Sequence, residues 1–420
     1  MTQTGVVAGG VLTDLVSLGV LASAVPRDVV DDAVAVTGKA ARRAGGKLPP
    51  QVMVYFVMAL ALFADEDYEE VAARLTGALR EWGEQDWEVP TAGGITQARQ
   101  RLGAAPVAEV FRQVAVPVAD LDTAGAFVGP WRLMSLDGME WDVPDSAANR
   151  AAFGSRAGSE GPAAFPKIRV VTVSECGSHA PVLAVMGPAA GGKGSGEMSL
   201  ARQLYPRLAE GWLLLADRLF YCWDDWRTAA DTGADLLWRV KANTVLPVLG
   251  WLPDGSYRSV LARPKATPRQ REQITAAALR GEDLDPGQAR YARVIEYGVP
   301  DRGNSSGDDD DDELIVLVTT ITDPRAAPAA VLAGAYHQRW EHETGNQQLK
   351  TYLRGPGKIL RSHSPDMAEQ EIWGYLLTHY ALSALICAAA TAAGIDPDRV
   401  KFKPTLRVVR RATGPAFPPS

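Results

Sequence analysis

Apolar positions recur at helical spacing from residue 11 to residue 90, the pattern of helices that bury one face against each other. Pro49-Pro50 opens a run from Met53 to Phe63 that reads as a buried helix, and Asp65-Glu66-Asp67 closes it. Ile95 to Leu102 carries a polar, basic face on a short helix stopped by Gly103. After the Gly- and Pro-containing stretch Thr123 to Pro130 the period changes. Trp131 to Leu136, Ile168 to Val173 and Val182 to Met186 read as strands, the last two joined by a turn at Cys176-Gly-Ser-His179. A helix at Leu200 to Leu208, a strand at Trp212 to Ala216, a helix at Trp223 to Ala230 and a strand at Asp235 to Lys241 follow. Strands first, then strand and helix in alternation, predict a mixed α/β fold behind an all-helical N-terminal unit. Residues 242–312, with Pro, Gly and short alternating segments at Tyr257 to Leu261 and Ala292 to Tyr297, read as a β-rich insertion. A strand at Leu314 to Ile321 returns to the core, and helices at Pro328 to Leu353 and Pro365 to Ala393 lead into a basic tail, Arg399 to Arg411.

A length of 420 residues is enough for about three domains. With 46% hydrophobic and 22% charged residues the chain has a globular composition, which excludes wholesale disorder and fibrous architecture. Lys and Arg number 43 against 50 Asp and Glu, a net charge of −7 that argues at first against a polyanionic partner. Six of those carboxylates form one run, Asp308 to Glu313, read as a solvated loop; without them the balance is −1. Cys176, Cys222 and Cys387 show no C-x-x-C spacing, so neither a zinc knuckle nor a disulfide framework is suggested and a reducing cytoplasm is expected. The start lacks the basic and apolar regions of an export signal. Tyr375 to Gly394 is long enough to span a bilayer, but its Thr, His and Ser residues favour a core helix, and no membrane partner is expected.

Asp137 follows the apolar strand Trp131 to Leu136, and Asp217 follows Trp212 to Ala216. Carboxylates at strand ends are common in active sites because the sheet fixes their backbone at a crevice; an Asp that merely starts a turn is the ordinary alternative. On a helix turning about 100° per residue, Tyr336, Arg339, Glu343 and Lys350 share a stripe about 60° wide and about 21 Å long, with Glu341 opposite. That stripe sets one acid between cations, able to follow phosphates, although Arg339 and Glu343 also match an ordinary i,i+4 ion pair.

The arrangement Tyr336-x2-Arg339-x3-Glu343-x6-Lys350 resembles the Y-R-E-K signature of DDE transposases of the insertion-sequence-four type. Leu136-Asp137-Gly138 with Val143-Pro144-Asp145 resembles that family's first catalytic block, and Leu215-Ala216-Asp217-Arg218-x-Phe220 its second. Leu360-Arg361-Ser362 with Gln370-Glu371-Ile372-Trp373, and the N-terminal Leu48-Pro49-Pro50 and Thr96 to Gly103, extend the likeness over most of the chain. His337 stands where a basic residue such as Arg is common and Leu219 where Gly is frequent.

The resemblance implies an RNase H-like mixed sheet with flanking helices, interrupted by the insertion. Its expected divisions are a DNA-end-binding helical domain at 1–122, catalytic core at 131–241 and 313–395, the insertion at 242–312 and the basic tail at 396–420. It implies a catalytic and metal-binding triad of Asp137, Asp217 and Glu343 holding two Mg²⁺ ions, for which Mn²⁺ substitutes, since hard carboxylate oxygens suit these cations. The implied activity is cut-and-paste cleavage of element ends through hairpins and strand transfer into target DNA. The implied assembly is a homodimer joining two double-stranded ends, in a nucleoid-associated cytoplasmic setting. The DNA contacts it suggests are Tyr336, Arg339, Lys350, Arg99, Arg101, Trp340 and Trp238, with Trp223 a further stacking candidate and Gln97 and Gln100 beside the arginines. A catalytically silent DNA-binding regulator of the same lineage and an RNase H-like nuclease without strand transfer are the rival readings.

Overall fold

The structure is a computed structural model describing residues 19–41, 48–80, 89–154, 157–158, 161–162, 164–190, 196–300 and 312–411. The sequence readings at 11–18, 42–47, 81–88, 308–311 and 412–420 lie outside the described residues.

The N-terminal part is helical as expected: α1 (Gly19–Ala24), α2 (Arg27–Val36), α3 (Pro50–Leu62), α4 (Tyr68–Arg80), α5 (Ala92–Leu102) and α6 (Ala105–Val114). Pro50 occupies the first turn of α3, where its missing N–H is harmless, and the helix behind it is apolar on nearly every side because it is buried on nearly every side. Helix α5 is capped by the Thr91 hydroxyl, which accepts from the Gly94 N–H, and ends at Gly103, whose φ of 72° is a left-handed conformation suited to glycine.

A central sheet follows, built from β1 (Phe127–Val128), β2 (Trp131–Asp142), β5 (Lys167–Glu175), β6 (Pro181–Pro188), β7 (Trp212–Ala216), β8 (Asp235–Val240), β9 (Gly250–Trp251), β10 (Tyr257–Ala262), β11 (Ala289–Pro300) and β12 (Asp312–Thr319). A separate pair, β3 (Ala157–Gly158) and β4 (Gly161–Pro162), lies between β2 and β5 in sequence. The order in the sheet is β6-β5-β2-β7-β8-β12-β11-β10-β9, with β1 pairing β2. Strands β6, β5 and β2 are antiparallel neighbours, whereas β2, β7 and β8 run parallel. Three antiparallel strands extended by two parallel ones make the RNase H-like arrangement. The connections between the parallel strands hold helices α7 (Ala147–Phe153), α8 (Glu197–Ala201) and α9 (Trp223–Ala230), as parallel crossovers require.

The segment read as a β-rich insertion joins the central sheet. Its strands β9, β10 and β11 continue the central sheet through β12, which pairs β8. It also contains a helix, α10 (Pro268–Leu279), opened by a reciprocal capping box between Thr267 and Gln270.

After β12 come α11 (Ala329–His337), α12 (Trp340–Gln347), a π-helical stretch (Gln348–Leu353), the long α13 (Pro365–Ala392) and α14 (Phe402–Arg411). Helix α13 is long and apolar enough to cross a membrane by length and composition, but 72% of its apolar window is buried inside the protein. It packs on α1, α3 and α6, so the N-terminal helices and the C-terminal half share one core that includes Phe56, Phe111, Trp141 and Leu376. The helices approach closely at Gly374: a Cβ there would stand 2.6 Å from Val57 Cγ1 and 2.7 Å from the Val57 carbonyl oxygen. Because backbone must yield, Gly374→Ala is expected to cost about 1–3 kcal/mol, read as a lower urea midpoint at unchanged slope.

Candidate active site

Strand β2 is longer than its apolar start suggests, so Asp137 stands within the strand, paired with Thr172 of β5, and not at its end. The alternation Asp137, Met139, Trp141 carries the strand onward, with Met139 and Trp141 buried. Asp217 directly follows β7, as expected. The parallel register pairs Leu136 with Ala216, so the next positions along the two strands are Asp137 and Asp217, on chains about 4.8 Å apart.

Alternation also fixes the face. Leu133, Leu213 and Leu215 share a cluster with Leu332 and Tyr336 of α11, whereas Met134, Leu136, Leu214 and Ala216 pack with Leu200 and Trp226 on the opposite face. Asp137 and Asp217 are an even number of residues from the first set and so point to the side that carries α11 and α12. Both are half-buried.

Three residues, Tyr336, His342 and Asn346, hold the Glu343-bearing segment on that face. The Tyr336 hydroxyl reaches the Ala216 carbonyl oxygen at 3.5 Å, next to Asp217. His342 is buried, with Nδ1 2.8 Å from Ser135 Oγ and 3.0 Å from the Ser135 carbonyl oxygen, and Nε2 2.8 Å from Thr172 Oγ1. Burial lowers the His342 pKa. Asn346 donates from Nδ2 to Asp137 Oδ2 at 3.1 Å. Asn346 lies three residues after Glu343 and therefore near it on the helix surface. Glu343 itself is exposed, with Arg339 3.4 Å away. The three-residue spacing from Glu343 is the one sign of Asn346 in the sequence. His342 is about 140° around a helix from His337, which argues against a joint ligand role for the two, and its seat depends on strands 170 to 207 residues away.

The continuous helical stripe is not found. Bonds from Arg339 N to the Tyr336 oxygen and from His342 N to the Arg339 oxygen tighten the chain between α11 and α12, and the π stretch widens it after Gln347. Tyr336 is consequently buried, 5% exposed, and burial raises its pKa; it braces the end of β7 and is not presented to DNA. Lys350 is half-buried; burial, followed by the Arg354 charge, lowers its pKa, and Asp142 and Glu140 lie in its surroundings.

Other expected DNA contacts divide by burial. Arg99 is fully buried and donates to Gln370, Tyr68, Ser362 and the Met367 carbonyl, so it joins α5 to α13 and does not face DNA. Trp238 is fully buried between Tyr205 and Trp226, and Trp223 is 5% exposed, so neither offers a ring for stacking. Gln97, Gln100 and Arg101 are exposed on α5. Trp340 is 55% exposed, with the Arg339 guanidinium 5.2 Å from its ring centroid.

The donor set suits hard divalent cations: Asp137, Asp217 and Glu343 supply only carboxylate oxygens, and all three are accessible. Their ligand atoms are more widely spread than those of another group, His179, Glu341 and Asp398, whose ligand atoms all lie within 4.8 Å of one another.

An RNase H-like sheet with two aspartates side by side on one face and a carboxylate-bearing helix on that face defines a class of polynucleotide-cutting proteins. Residues 132–380 match the model of the transposase DDE domain, and residues 15–112 match the insertion element 4 transposase N-terminal model. The chain belongs to the DDE transposases of the insertion element 4 type. Transposase InsG for insertion sequence element IS4 of Escherichia coli strain K12 is 26% identical over 368 residues, 87% of this chain and 76% of that protein. InsZ of the same strain is 29% identical over 200 residues, 47% of this chain and 62% of its own length. A cryo-EM structure of the piggyBac transposase synaptic complex with hairpin DNA is similar at a TM-score of 0.49 and 10% identity, covering 95% of this chain and 80% of that one. The chain is thus a DNA transposase, an enzyme of DNA cleavage and strand transfer that binds DNA and depends on divalent metal.

Proposed function

We propose that the chain excises its own element by cut-and-paste transposition, with Asp137, Asp217 and Glu343 holding two Mg²⁺ ions for which Mn²⁺ substitutes. The observation that carries this reading is the parallel register that sets Asp137 beside Asp217 under the helix bearing Glu343. When bound, the ions neutralise charge at the phosphodiester and activate the attacking oxygen. The protein's own part is positioning: strands fix the two aspartates, His342 seats α12 on the sheet, and Asn346 orients Asp137. Arg339 and Lys350 contact phosphates beside the cut, Arg101 grips the end sequence, and the exposed Trp340 stacks on a base unpaired at a hairpin end. A homodimer brings two double-stranded ends together before insertion into target DNA in the bacterial nucleoid.

The test is incubation of the purified protein with a duplex carrying its own flanking ends and Mg²⁺ or Mn²⁺. Nicks, hairpins and joined products are expected. A shifted complex without metal-dependent cleavage would instead identify a DNA-binding regulator, and cleavage without joined products a nuclease. Asn346→Ala is expected to reduce nicking about 10- to 100-fold and to raise the Mg²⁺ concentration needed for half-maximal rate, since it frees a carboxylate that should be held. Rate curves at several Mg²⁺ concentrations, beside an unchanged unfolding midpoint, check this.

A further inference from the structure

The back of α12 carries a second group of ligating side chains. Glu341 is about 200° around the helix from Glu343 and so faces away from it. Its Oε2 is 2.7 Å from His179 Nε2, and Asp398 Oδ1 is 3.2 Å from the same nitrogen. These residues come from the turn between β5 and β6, from α12, and from the short 3-10 turn Pro397–Arg399 ahead of α14. They line one side of a cavity of about 310 Å³.

We infer that His179, Glu341 and Asp398 form a site for one divalent transition-metal ion of the zinc class, separate from the catalytic carboxylates. One imidazole nitrogen and two carboxylate oxygens are a donor set that such ions accept, and three protein ligands leave a further position open. Ser383 supplies an independent sign: it is 1% exposed, lines the same cavity, and its Oγ has no hydrogen-bond partner. A water completing the ion's coordination would give that hydroxyl the partner it lacks.

The surroundings of His179 suit a ligand. Gln348 Nε2 is 3.0 Å from His179 Nδ1, and Gln348 Oε1 is 3.1 Å from His379 Nε2. With its amide turned by half a rotation, Gln348 accepts from His179 Nδ1–H and donates to His379, fixing the ring so that Nε2 faces the ion. His179 is also the one non-glycine among the described residues with positive φ, 59°. The two carboxylates outweigh the charge of Lys401, which lines the same cavity. The bound ion would clasp the β5–β6 turn and the C-terminal segment to the reverse side of the catalytic helix.

The test uses the full chain carrying Asp137→Asn, Asp217→Asn and Glu343→Gln, titrated with Co²⁺ and followed by equilibrium dialysis and visible absorption, with the unsubstituted chain in parallel. One Co²⁺ per triply substituted chain is expected, with a visible band that Zn²⁺ abolishes; the unsubstituted chain shows the same band. Asp398→Asn, at an exposed position, and His179→Ala are each expected to weaken binding about 100-fold, and Gln348→Ala about tenfold. If His179→Ala does not fold, Asp398→Asn decides the matter. Absence of bound Co²⁺, or affinity unchanged by Asp398→Asn, overturns the site. Because binding is read without the catalytic carboxylates, failure here and failure of the cleavage assay are separate results.

Discussion

Asp137→Asn, Asp217→Asn and Glu343→Gln are each expected to slow nicking of an end-containing duplex by roughly a thousandfold or more, about 4 kcal/mol of lost transition-state stabilisation. Each change removes one negative charge and one hard oxygen donor while keeping the shape of the side chain. Folding should survive, because Asp137 and Asp217 are only half-buried and Glu343 is exposed. An amide at 137 can still accept from Asn346, so the seat of α12 is preserved. Single-turnover nicking, with circular dichroism as the folding control, measures the effect. Rates within tenfold of the starting protein for all three variants would reject this triad.

Arg99→Ala has the largest expected effect on stability, a loss of about 3–5 kcal/mol in urea unfolding. The guanidinium is fully enclosed and joins Tyr68, Ser362, the Met367 carbonyl and Gln370, partners up to 271 residues distant. Removing it strands Gln370 Oε1 and a backbone carbonyl and leaves a void at the junction of α5 and α13. Arg101→Ala, on the exposed side of the same helix, should leave the midpoint within about 0.5 kcal/mol while weakening end binding and flattening its salt dependence. Equal stability of the two variants would show that the buried network contributes little.

These two arginines show how far sequence reaches. The period of α5 gave a helix with Arg99 and Arg101 on it, but which one meets solvent is decided by α13, which arrives more than 260 residues later. Trp238 is a similar case, enclosed by Tyr205 and Trp226. Strand β7 and helix α9 were legible to the residue because each is a short uninterrupted pattern with clear edges. Helix α10 was hidden among the alternating strands around it, although Thr-Pro-x-Gln at 267–270 is a legible start signal. The spacing from Tyr336 to Lys350 marked the family, yet its translation into one straight stripe failed because the chain is tightened before Trp340 and widened after Gln347. Asp137 and Asp217 were found as carboxylates next to apolar runs; their adjacency needed a strand register that no local pattern encodes.

The shared core of the N-terminal helices and α13 has a consequence for where DNA is cut. A recognition module on a slack tether would let the scission point wander by several base pairs. With Arg101 gripping the element end as proposed, the exposed edge of α5 and the acidic face of the sheet are joined through one core, so the distance from the gripped sequence to the broken bond would be metered by protein, as by a calliper.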